Sequence, residues 1–171
     1  MKNLKKIIID VIMLICPILL YVFMSQSYIV GNVSILGQST QGSLASGFDL
    51  INFEGNDAAT FNAVCLLLTC IFAGILMLSA LVSLLADFKI IKNNMVVKAV
   101  SILKFISIVV IFITTIASLI YVASEYSKQV GVEGANISAG ADWAVIVNMI
   151  LGFVLVIAWV FTFVEYFKRR K

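Results

Sequence analysis

Three groups of residues in this chain have the types and spacing that chemistry needs. The largest is a pair of polar stripes. Asn62, Cys65, Thr69, Ala73, Leu76, Ser79 or Ala80, Ser83 and Asp87 follow one another at steps of three and four, and Lys104, Ser107, Ile111, Thr114, Ser118, Tyr121 and Glu125 do the same. That period sets each series on one face of a helix. In a membrane such a face either lines a polar path or forms a seam, where small residues let helices approach and hydroxyls bond across the contact. Neither series has an ionisable group at its middle, which a proton relay needs, so a packed seam is the expectation. Asn148, Gly152, Trp159 and Thr162 recur at similar spacing and are read in the same way.

Asp10 is the second candidate, the one acid inside an apolar run. Lys6 lies four residues earlier on the same helical face, and Lys104 is expected at the same depth on another helix. A locally paired, structural carboxylate is expected here rather than a proton or ion site. The third group is Asp49, Asn52, Glu54, Asn56 and Asp57, whose oxygens suit Ca²⁺ but lack the fixed spacing of a calcium loop. No metal and no cofactor is expected.

Enzyme chemistry has little else to draw on. The chain has no histidine, which removes the commonest general base and metal ligand. It has no phosphate-binding loop, no glycine-rich dinucleotide turn and no Cys-Cys-His cluster. Cys16, Cys65 and Cys70 all fall in apolar runs, where thiols serve packing. A non-enzymatic protein is the expectation. Asn32-Val33-Ser34 and Asn136-Ile137-Ser138 have the form of glycosylation acceptors.

The elements that must position these residues are set by composition. Of 171 residues, 62% are hydrophobic and 12% charged, against about 45–50% and about 25% in soluble domains. A core of this size cannot hide that excess, so apolar surface must face lipid. Four apolar stretches, at about 7–25, 61–86, 98–123 and 142–164, are each long enough to cross about 30 Å of hydrocarbon as a helix. Backbone at that depth has no water to bond, so each must be helical. Pro17 is expected to kink the first. Lys2, Lys5 and Lys6 before an apolar run, with Ser25-Gln26-Ser27 after it, imitate a signal peptide. The run is long enough to span, and it is expected to stay as the first helix. Ile15 before Cys16 argues against lipoprotein cleavage.

Orientation follows from the connecting segments. Lys2, Lys5 and Lys6, then Lys89, Lys92 and Lys98, then the tail 165–171 ending Lys168-Arg169-Arg170-Lys171 put bases at both ends and in or directly beside the segment 87–97. The segments 26–60 and 124–141, with Asp142, carry Asp49, Glu54, Asp57, Glu125, Glu133 and Asp142 against Lys128 alone. Basic flanks stay inside, so both termini are expected in the cytoplasm of a plasma-membrane protein. The basic tail suits anionic lipid headgroups rather than nucleic acid. Lys outnumbers Arg ten to two, a bias associated with low-GC bacteria.

The outer segment 26–60 is rich in Gly, Ser and Gln, and its Gly31-Asn32 between β-formers is a hairpin-turn signal. The segment 124–141 shows no clear structure. Glu54-Gly55-Asn56 and Glu133-Gly134-Ala135-Asn136, each ahead of a spanning helix, suggest a weak two-plus-two duplication. The fold expected is an all-α, four-transmembrane-helix bundle with a larger, partly β first extracellular loop. In span number, inner ends and larger first outer loop it resembles the plan of claudins and related tetraspan proteins. It departs in that loop, where those families carry a cysteine pair and this chain has none.

The function expected is that of an accessory subunit docking on another integral membrane protein, through a contact loop that includes Gly37, Ser43, Asp49, Glu54 and Asp57. Its alternatives are a small homo-oligomeric channel, holin or transporter component, and a membrane immunity or resistance protein.

Overall fold

The computed structural model describes residues 2–35, 38–52, 57–91, 93–126, 129–132 and 135–168. The long helices are α1 (Lys2–Met24), α3 (Asp57–Asp87), α4 (Asn94–Tyr126) and α5 (Trp143–Lys168); α2 (Gly47–Ile51) is a single short turn before α3. All four long helices contain a segment long and apolar enough to cross a membrane. They pack in a ring, α1 on α3, α3 on α4, α4 on α5 and α5 on α1. Large apolar side chains such as Ile8, Leu67, Ile71, Leu78, Ile113 and Ile157 are exposed on their outer faces, as lipid contact requires. The helix α1 continues through Pro17.

Helices α3 and α4 have 31 and 33 residues, longer than the expected spans. At 1.5 Å per residue each is about 47–50 Å long, so each outruns the hydrocarbon layer. Helix α3 stops at Lys89, a non-glycine residue with φ of 62°. The Ile90 amide donates to the Leu85 carbonyl at 3.0 Å and the Lys89 amide to Ala86 at 2.9 Å. Those are the two bonds of a Schellman cap.

The segments at the other end of the ring form one antiparallel sheet of order β2-β1-β4-β3, from β1 (Ser27–Ile35), β2 (Gln38–Ser46), β3 (Gln129–Val132) and β4 (Ala135–Ala141). The first segment does form a hairpin, but Gly31-Asn32 is not its turn: both residues sit in mid-strand, paired with Gly42 and Gln41. The connection falls at 36–37, outside the described residues. A Cβ on Gly31 would lie 3.0 Å from the Leu44 side chain, so this glycine makes room for a neighbour instead of a reversal. The segment 124–141, read as unstructured, supplies β3 and β4. Strand β4 pairs with β1 from Ile29↔Ala141 to Ile35↔Ala135, which ties the two connecting segments together.

Of the two segments that suggest a duplication, residues 54–56 and 133–134 lie outside the described residues. The acceptor triplets lie opposite each other in the ladder, Asn32 facing Ser138 and Ser34 facing Asn136.

Two apolar clusters hold the molecule together. One fills the bundle with Met13, Leu20, Leu76, Ile108, Ile111 and Leu155. The other joins the sheet and α2 to the helix ends through Met24, Tyr28, Ile29, Leu50, Leu66, Val122 and Val145.

Candidate functional site

The polar stripes face inward. On α3, Asn62, Cys65, Thr69, Ala73, Leu76, Ser79 and Ser83 are all buried; on α4, so are Lys104, Ser107, Ile111, Thr114 and Ser118. At mid-bundle the Thr69 and Thr114 hydroxyls lie 2.7 Å apart, joining the two helices directly. Each hydroxyl also lies within bonding distance of a carbonyl of its own helix, Thr69 Oγ1 2.9 Å from Cys65 and Thr114 Oγ1 2.8 Å from Val110, so one donates across the contact and the other back to its own turn. The stripe is not uniformly polar, since Leu76 and Ile111 are completely buried within it.

On α5, Asn148 and Gly152 face the interior. A Cβ on Gly152 would lie 2.9 Å from Thr115 Oγ1, so α4 and α5 touch where a side chain is missing. Thr115, absent from the sequence-based set, is pinned there by bonds to the Ile111 and Phe112 carbonyls. Thr162 is half-buried and bonds back to Ala158. Trp159 is half-buried and packs against the bundle core, its ring centroid 4.7 Å from Phe105 and 5.2 Å from Phe163.

Near the α1 N-terminus, Lys104 Nζ lies 2.6 Å from Asp10 Oδ1, with both side chains buried. Lys6 does not join Asp10 directly; it forms a salt bridge with Asp87 at the end of α3. Both lie close enough to act electrostatically on Asp10. Two acids and two bases thus tie α1, α3 and α4 together, and the second carboxylate oxygens of Asp10 and Asp87 have no partner among the described residues.

At the sheet end, Tyr28, also missed from sequence, is buried against Gly47, and its hydroxyl accepts a bond from Asn148 Nδ2. Burial drives the Tyr28 phenol well above the ordinary tyrosine range, with the Asn148 bond opposing in part. Asn62 Oδ1, Ser118 Oγ and Asn148 Oδ1 are buried without partners among the described residues.

Of the expected contact loop, Ser43 is exposed on β2 and Asp57 is exposed in the first turn of α3. Asp49 is committed locally. Its carboxylate accepts bonds from the Ser46 amide and hydroxyl at 2.8 Å, and its own amide donates to the Ser46 hydroxyl. This capping box starts α2, and the Ser46 bonds hold the Asp49 carboxyl below the usual range. Gly37 and Glu54 lie outside the described residues. Among the described residues no three His, Cys, Asp or Glu side chains gather as a metal site would require. No family model, curated protein or solved structure matches the chain.

Proposed function

We propose that the chain is a non-enzymatic plasma-membrane protein, with both termini in the cytoplasm, that serves as an accessory subunit of a larger membrane complex. The observation that carries this reading is the sheet. Strands from connecting segments about a hundred residues apart in the chain are laddered into one body through the β1–β4 pairing. That body is fixed to the helix ends by Tyr28, Ile29 and Leu50. A four-helix bundle needs only short turns at that end; a braced, largely uncharged platform is surplus to spanning and suits contact with a partner. Leu76, Ile111 and Leu155 fill the centre of the ring, which speaks against a path through a single copy.

The partner expected is a different integral membrane protein, reached through the sheet and through lipid-facing helix surfaces. Affinity purification of the tagged chain from its native membranes, in mild detergent, should recover such a protein in fixed stoichiometry. Recovery of the chain without one, together with ion leakage from liposomes containing it alone, would replace this reading with the channel.

A further inference from the structure

We propose that β2 is a homotypic docking edge, to which a second copy of this chain adds its own β2, antiparallel and centred on Gly42, fusing the two sheets.

The edge is open. Strand β2 ends the order β2-β1-β4-β3 and is supported chiefly by β1 and α2. Residues 39–44 are exposed. Its pairing with β1 is regular from Gln38 to Ser43 and shifts register twice beyond, between Ser43 and Ala45 and between Ala45 and Ser46. In an antiparallel ladder alternate residues turn their N–H and C=O groups toward the neighbour, so along the regular part of β2 half of those groups point away from β1, with no strand to meet among the described residues.

The edge is also unguarded. Proteins usually blunt a long edge with charge, proline or brevity. The nine residues Gln-Ser-Thr-Gln-Gly-Ser-Leu-Ala-Ser of β2 contain neither a charge nor a proline. The opposite edge, β3, spans four of the described residues, Gln129–Val132.

What fits such a row of alternating donors and acceptors is an extended strand. A second copy presents one without any further requirement. Its four spanning helices hold it in the same membrane, in the same orientation, with β2 at the same height. A charge-free strand meets itself with no like-charged pair, which directly opposed charges would make unfavourable. Centring the pairing on Gly42, inside the regular stretch 38–43, sets it against Gly42 of the second copy. A Cβ there would meet nothing within 4 Å, and a strand glycine suits close backbone approach.

The test uses the full chain and does not rest on the accessory-subunit reading, which stands or falls by co-purification. Oxidation of membranes carrying Gly42→Cys should give a covalent dimer, because opposed strand positions lie about 4.5–5.5 Å apart, within disulfide reach. Gly140→Cys, an equally open position on the inner strand β4, should not cross-link, and the parent chain with its three native cysteines is the background. In mild detergent the parent should be a dimer. Gly42→Lys should raise its dissociation constant roughly fivefold or more, and mixing that variant with Gly42→Asp should restore pairing. A monomeric parent, cross-linking through Gly140 instead of Gly42, or a dimer indifferent to Gly42→Lys would overturn the proposal.

Discussion

Lys104 on α4 places its ammonium 2.6 Å from the Asp10 carboxylate on α1, and neither side chain reaches the surface. An unpaired charge at such a position is costly, so each residue makes the other tolerable. Removing one partner of a buried pair typically costs about 3–5 kcal/mol, because the survivor stays buried and uncompensated. Asp10→Lys should therefore sharply lower the yield of monodisperse protein and its Tm in detergent. Adding Lys104→Asp should recover part of the loss. Lys6→Asp should not, since Lys6 serves Asp87. Equal rescue by both second substitutions would remove the specific pairing.

Tyr28 gives a test at the opposite end of the bundle. Its hydroxyl is the acceptor for Asn148 Nδ2, and leaving a buried donor unpaired costs about 1–3 kcal/mol. Tyr28→Phe should lower stability by that order at neutral pH. The pH dependence has a definite sign. The folded state raises the phenol's pKa, so this group's contribution is complete below the ordinary tyrosine value of about 10. It is lost as pH climbs from there toward the folded value, because the unfolded phenol ionises first. The gap between parent and Tyr28→Phe, followed by chemical denaturation, should narrow above about pH 10. A gap constant with pH would mean the phenol is not held in its neutral form by burial.

The buried faces of the helices were legible in the sequence because one constraint made them. Helices in lipid approach through small residues, so Asn62, Thr69, Ser83, Thr114 and Ser118 advertise the inner face by their spacing alone. Asp10 and Lys104 were legible for a related reason, as opposite charges at matched depth. The sheet was not legible in full. Its decisive pairing, β1 with β4, joins Ile29 to Ala141, and no local pattern encodes so distant a partner. Strand β2, nearly devoid of β-branched residues, owes its extended form to the ladder rather than to propensity. The Ser46–Asp49 capping box was visible as Ser-x-x-Asp but sat in a stretch read as loop. Thr115 carried no signal, because its role exists only against Gly152.

Lys89 holds a backbone conformation in which side chains are strained. At φ of 62° it occupies the position that glycine commonly fills at a helix end. Left-handed backbone costs an L-residue roughly 1–2 kcal/mol, and the Lys89 side chain is exposed. Lys89→Gly should raise stability by on the order of 1 kcal/mol, less what the freer unfolded chain gives back. Lys89→Ala should not. A thermal shift common to both variants would trace the effect to lost charge instead of to backbone.

Topology can be read from two exposed positions. Ser43 lies on β2, and Ile90 lies beyond the end of α3 at the opposite end of the bundle, 68% exposed. With basic segments retained inside, Ser43→Cys should react with an impermeant thiol reagent on intact cells, and Ile90→Cys should react only after lysis. The reverse pattern would invert the protein and put the sheet in the cytoplasm.

The last test asks whether the interior seam is a fitted contact or a path with room to spare. At Gly152 the two answers differ. An added methyl would stand 2.9 Å from Thr115 Oγ1, closer than carbon and oxygen settle without movement. Thr115 cannot easily turn away while its hydroxyl bonds to Ile111 and Phe112. Gly152→Ala should therefore force α4 and α5 apart and lower stability by about 1–3 kcal/mol, the usual effect of overpacking, even though alanine is the better helix former. Shortening the neighbour should relieve it: Gly152→Ala with Thr115→Ala should be more stable than Gly152→Ala alone, a coupling of the sign that residues in contact show. Thr115→Ala alone should cost little, since its hydroxyl bonds only to its own helix. If Gly152→Ala instead raises Tm as helix propensity favours, α5 is not held against α4 at this point, and a passage between those helices becomes the better account of the stripe.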